Sequence, residues 1–140
     1  MKVKCAGKLL SQAVRAVDDV APLRSTIPLT MTMKLEAKRE GDKSSLIISG
    51  TDFEIGLKYT IPLDSIVEEG FAVLPAKKTS QIVQLLENDE VEITKDGNLV
   101  IFQSAESTTK IVSLDEMAGD FPTIAELDER KMFQLEAKKF

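Results

Sequence analysis

Proton transfer and nucleophile activation near neutral pH fall most often to histidine, and this 140-residue chain has none. Ser-His and Cys-His systems and histidine metal sites are therefore excluded. The single cysteine, Cys5, permits no disulfide within the chain. It sits in the alternating stretch 2–6, where it reads as a small core residue. Carboxylates remain. Asp52 and Glu54 lie two apart, on one face of a strand, but no base or metal constellation accompanies them. They read as a turn residue and an exposed strand residue. Asp89, Glu90 and Glu92 read as the solvated edge of a hairpin. No catalytic residue, metal or cofactor is expected.

The more informative chemistry is cationic. Lys8, Gln12 and Arg15 share one face of a helical stretch, residues 8–20, whose other face carries Leu10, Ala13, Val14 and Val17. A second helix over 76–87 shows Thr79, Ile82, Val83 and Leu86 on its inner face and Lys77, Gln81 and Gln84 on its outer one, with Lys78 at the flank. Such stripes are ordinarily just solvated. They gain interest because the two coincide at an offset of 69 residues: Lys8 meets Lys77, Ser11-Gln12 meet Ser80-Gln81, and Val14 meets Val83. Arg24 stands on the connection after the first helix, where it could pair with Asp18 or Asp19 or face a ligand.

The overall charge is −5, which argues against a protein that grips nucleic acid by its phosphates. The distribution is uneven. Residues 1–24 are net +3 and residues 88–140 are net −6, so one local basic surface on an acidic body is allowed. Aromatics make up 5% with no tryptophan, too few to stack a single strand. No run of apolar residues is long enough for a membrane helix, and no signal-peptide stretch opens the chain.

The elements that must carry these stripes follow from periodicity. Leu29, Met31, Met33, Leu35 and Ala37 alternate with polar residues, predicting a half-buried strand with both methionines in the core. Glu40-Gly41-Asp42 turns the chain into a strand over 45–50. Phe53 to Ile61 alternates again and is closed by Pro62. Residues 64–70 read as an acidic loop and 71–74 as a short strand, with Pro75 suited to the first turn of the second helix. Val91 and Ile93 begin a strand that Asp96-Gly97 turns into its return, 99–102, and a last strand follows within 107–114. The prediction is an α+β fold: β-α-β-β-β, internally duplicated, with two helices on one face of antiparallel sheet. The first domain spans 1–122. Residues 123–131 read as a linker, and 132–140 resemble the chain's own start, as though a further copy began there.

Four segments then resemble one family in order and spacing: 24–29 (RSTIPL), 50–56 (GTDFEIG), 73–78 (VLPAKK) and Phe121-Pro122. They resemble the amino-terminal domain of the bacterial replicative sliding clamp, the DNA polymerase III beta subunit. The resemblance implies three domains of one fold per chain and two chains closed head to tail into a ring around duplex DNA. It implies a non-catalytic, cytoplasmic processivity factor that tethers the polymerase, opened by a clamp-loader ATPase. It implies that Arg24 matches a basic position pointed at DNA. With the repeat, it suggests that Lys8, Gln12, Arg15, Lys77, Gln81 and Gln84 face the duplex. The ring-closing contact is implied on the last strand, at Thr109 and Ile111, and this piece alone is expected to be a monomer. The alternative is a protein-interaction module of the same fold that encircles nothing.

Overall fold

The computed structural model describes residues 1–20, 31–51 and 56–120. Arg24, Asp52, Glu54, the linker and the expected further copy lie outside them. The described elements run β1 (Lys2–Ala6), α1 (Gly7–Val20), β2 (Thr32–Glu40), β3 (Lys43–Thr51), β4 (Gly56–Pro62), β5 (Ser65–Glu68), β6 (Gly70–Pro75), α2 (Ala76–Leu85), β7 (Glu90–Asp96), β8 (Leu99–Gln103) and β9 (Thr108–Val112), then a short 3-10 helix, Asp115–Asp120. The α+β class and the duplication hold. The strands divide between two antiparallel sheets, in the orders β5-β1-β7-β8-β9 and β4-β3-β2-β6.

The two halves are interlaced. β1, the first strand of one half, pairs with β7 of the other, Val3 opposite Ile93 and Cys5 opposite Val91. β6, the first strand of the second half, pairs with β2 of the first, Met33 opposite Leu74 and Leu35 opposite Ala72. Neither half could complete its sheet alone. The inner faces meet in one core containing Leu10, Val14, Met33, Leu35, Ile48, Leu74, Ile93 and Phe102. The apolar stripe of α1 is fully used: Leu10, Ala13, Val14 and Val17 are all buried. Burying a side chain such as Leu10 or Val14 contributes about 1.5–3 kcal/mol. Gly41 and Gly97 adopt positive φ in the two tight turns that their Glu-Gly-Asp and Asp-Gly sequences predict.

Three expectations are corrected. The acidic segment after β4 is a strand, β5, which covers the edge of β1 with Val3 opposite Ile66; Ile66 packs against the core while Ser65, Val67 and Glu68 face out. Met31 precedes the strand rather than extending its alternation and is 39% exposed, whereas Met33 is fully buried. The second helix stops at Leu85, two residues short of its expected end, and Pro75 is its N-cap rather than a residue of its first turn.

The chain crosses from one sheet to the other between β4 and β5, where Leu63 N–H donates to Ser44 O of the four-stranded sheet at 3.1 Å and Asp64 N–H to Lys4 O of the five-stranded one at 2.8 Å. At a seam between the sheets, Val73 N–H donates to Ser113 Oγ at 2.9 Å, and Leu114 N–H donates to Val73 O at 2.8 Å. Beside that seam the Lys95 ammonium contacts Asp115 at 2.9 Å, donates to Phe71 O at 2.7 Å, and lies 4.4 Å from the centre of the Phe71 ring.

Two expected results follow from these surroundings. Partial burial alone would raise the Asp115 pKa; the Ser113 hydroxyl and the Lys95 ammonium outweigh it and hold the carboxyl below its ordinary value. A carboxyl with a lowered folded-state pKa stabilises the fold above its unfolded pKa and loses that contribution as pH falls through the folded one. Asp115→Asn should therefore be less stable than the parent at neutral pH, the difference closing in acid. Urea midpoints across pH 2–7 test this, and a gap that persists unchanged in acid would refute it. Cys5 is buried, and burial, then the charges of Asp64 and Glu90, push its thiol up to about 12. Iodoacetamide at pH 8 should leave the native protein unlabelled and modify it fully in denaturant.

Candidate nucleic-acid interface

α1 and α2 lie side by side and antiparallel. The start of α1 meets the end of α2, where Gly7 N–H donates to Asp89 O at 2.8 Å. The end of α1 meets the start of α2, where Lys77 Nζ donates to Asp18 Oδ2 at 3.1 Å. Approach this close requires small residues. Ser11 and Ser80, equivalent in the repeat, are both buried. A Cβ on Gly7 would lie 1.9 Å from Leu86 O and 2.6 Å from Asp89 O.

The outer surface of this helix pair carries the predicted stripe. Lys8, Gln12 and Arg15 are exposed on α1, and Lys77, Lys78, Gln81 and Gln84 on α2. The two helices bear four basic side chains, Lys8, Arg15, Lys77 and Lys78, against two acidic ones, Asp18 and Asp19. On a chain of net charge −5 this is a local reversal of sign. Among the described residues Lys8, Arg15 and Lys78 make no ion pair, so their charge is available to solvent or a ligand. Gln84 is partly engaged, its Nε2 donating to Ser80 Oγ at 3.2 Å. Lys77 is also engaged, and the sequence pattern does not reveal this, because Asp18 lies 59 residues away and reads there as one more polar helix residue. The available hint was the phase of Asp18, two turns after Ser11 on the face that closes against α2.

This surface offers phosphates cations and amide donors. Among the described residues no group of three or more His, Cys, Asp or Glu could hold a metal ion. Of the acidic hairpin edge, Glu92 has its carboxylate 3.9 Å from Lys4 Nζ. No helix among the described residues is long and apolar enough to cross a membrane.

β9 is the outer strand of its sheet. Thr109 and Ile111 stand opposite Phe102 and Val100 and point towards the core side. Thr108, Lys110 and Val112 occupy the outward face, with Val112 52% exposed. Any contact made by Thr109 and Ile111 with another chain would thus run largely through the open backbone edge.

Comparison with known proteins bears on the family and the fold. Residues 1–125 match the family described as DNA polymerase III beta subunit, N-terminal domain. The beta sliding clamp of Halalkalibacterium halodurans is 30% identical over 135 residues, covering 91% of this chain and 34% of that protein. The beta sliding clamp of Pseudomonas aeruginosa is 30% identical over 118 residues, covering 84% of this chain and 30% of that protein. The solved structure of Caulobacter crescentus pol III beta superimposes with a TM-score of 0.76 at 28% identity, over 90% of this chain and 32% of that one. The chain thus spans about a third of the length of the relatives it matches.

Proposed function

Because the chain belongs to the DNA polymerase III beta-subunit family, through that family's N-terminal domain, we propose that it serves as the first domain of a sliding clamp, with the α1–α2 surface turned towards duplex DNA. The observation that carries this reading is the placement of Lys8 and Arg15, exposed and free of ion pairs among the described residues, on one helix pair of an otherwise acidic chain. A ring must retain DNA yet move along it. A few solvated cations supply weak contacts that let the duplex slide, which a densely basic surface would not. The contacts are to phosphate and carry no sequence code.

In this reading Lys8, Gln12, Arg15, Gln81 and Gln84 border the duplex, with Lys77 as a tethered member and Arg24 contributing from the connection after α1. The domain is non-catalytic. Its partners are the polymerase III subunits that it tethers and a clamp-loader ATPase that opens the ring in the cytoplasm. The assembled protein is a head-to-tail homodimer in which the β9 edge, around Thr109 and Ile111, meets another chain; the 140-residue piece alone is a monomer.

Titration of the isotopically labelled chain with a 20-base-pair duplex of arbitrary sequence at low salt tests the helix surface by NMR. The expected shifts fall on exposed positions of α1 and α2 and vanish at high salt. Shifts confined to the outer sheet faces, or none at millimolar duplex, would contradict the proposal and favour a protein-interaction module.

A further inference from the structure

Of the four basic side chains on the helix pair, Lys77 is the one with an ionic partner among the described residues. That partner is unusual for a surface pair. The Asp18 side chain is 11% exposed while that of Lys77 is 47% exposed. Asp18 Oδ2 accepts from Lys77 at 3.1 Å, and its buried Oδ1 has no hydrogen-bond partner. Ser11 Oγ, two turns earlier on the same face, is buried and unpartnered as well. If Lys77 swung out to a phosphate, the carboxylate would stay behind in the helix seam with its charge uncompensated, the costly outcome for a buried ion pair. Asp18 therefore holds Lys77 more firmly than an exposed aspartate would.

The duplication sharpens the contrast. Lys8 is the repeat equivalent of Lys77, and Glu87 is the equivalent of Asp18. Lys8 and Glu87 border one cleft, together with Asp64 and Asp89, yet Lys8 makes no ion pair among the described residues. One of the two repeated lysines is tethered and the other is free.

We propose that Asp18 is an internal counter-ion that withholds Lys77 from the DNA backbone, keeping the helix surface weak enough to slide. The inference rests on the reading of that surface as the DNA side. It makes Asp18 a positioning residue that acts on DNA through Lys77.

Asp18→Asn removes the charge at nearly constant shape. Duplex affinity of the 140-residue chain, taken from NMR titrations at several salt concentrations, should rise severalfold. One added phosphate contact steepens the slope of log K against log salt by about 0.9, so the affinity should fall an extra three- to fourfold or so between 50 and 200 mM salt. In a Lys77→Gln background, Asp18→Asn should change nothing. If Asp18→Asn raises affinity equally in both backgrounds, the carboxylate repels phosphate directly and the inference fails. If Asp18→Asn leaves affinity and slope unaltered while Lys8→Gln weakens binding, the inference fails and the DNA-facing reading stands. If Lys8→Gln also has no effect, that reading fails with it. A measurement on the unaltered protein guards against a misfolded variant: on addition of duplex the side-chain Cε–Hε resonances of Lys8 should move and those of Lys77 should stay. Comparable movement of both would overturn the proposal.

Discussion

Gly7→Ala is expected to cost the domain about 3 kcal/mol or more, the combined scale of an overpacked contact and a lost buried hydrogen bond. The added methyl would stand 1.9 Å from the Leu86 carbonyl oxygen, inside any permissible contact, and 2.6 Å from that of Asp89. Both are backbone atoms, so no side-chain rotation relieves the clash. The start of α1 would have to back away from the end of α2, breaking the 2.8 Å bond from Gly7 N–H to Asp89 O. A domain of this size has a total stability of about 5–15 kcal/mol, so the loss is a large share. Gly119→Ala is the control, since a Cβ there meets nothing within 4 Å. Urea unfolding should separate the two clearly. A Gly7→Ala midpoint equal to that of Gly119→Ala would mean that the helices do not approach as described, and the side-by-side placement of the stripes would lose its basis.

Neutralising both unpaired cations of α1, with Lys8→Gln and Arg15→Gln together, should reduce duplex affinity at 50 mM salt on the order of tenfold or more. It should also lower the salt slope by about 1.8, the loss of two phosphate contacts. The loss should be uniform across duplex sequences, because the side chains removed read backbone charge only. Both residues are exposed, so thermal stability should hardly change. Titration with two unrelated duplexes checks each point. An unchanged slope would remove Lys8 and Arg15 from the interface, and a loss confined to one duplex would assign them base contacts instead.

What could be read from the chain and what could not divide along the range of the interaction. The inner faces of both helices were legible because a 3.6-residue period is local: Leu10, Ala13, Val14 and Val17 are buried as their spacing predicts. The turns at Gly41 and Gly97 were legible for the same reason. β5 was not. Asp64, Glu68 and Glu69 make the segment around it loop-like in composition, and it becomes a strand only because β1, more than sixty residues earlier, offers it an open edge. Met31 departs from the alternation because a period of two says nothing about where a strand begins, and this strand starts one residue later. The interlacing of β1 with β7 and β6 with β2 leaves no trace in periodicity at all. At the site, the exposure of Lys8, Gln12, Arg15, Lys77, Gln81 and Gln84 followed from helical phase. The capture of Lys77 by Asp18 did not, since a contact across two helices is set by their packing. β9 shows the same limit: the inward direction of Thr109 and Ile111 depends on the register with β8.

The proposed clamp role requires a ring whose hold on DNA is topological. The most direct test loads the full-length protein carrying this domain onto a nicked circular DNA with its clamp loader and ATP, and then linearises the circle. Retention on the circle followed by release from the linear form is the expected result, because weakly held DNA escapes once it has an end. Equal retention on both forms would mean direct binding and would contradict the account.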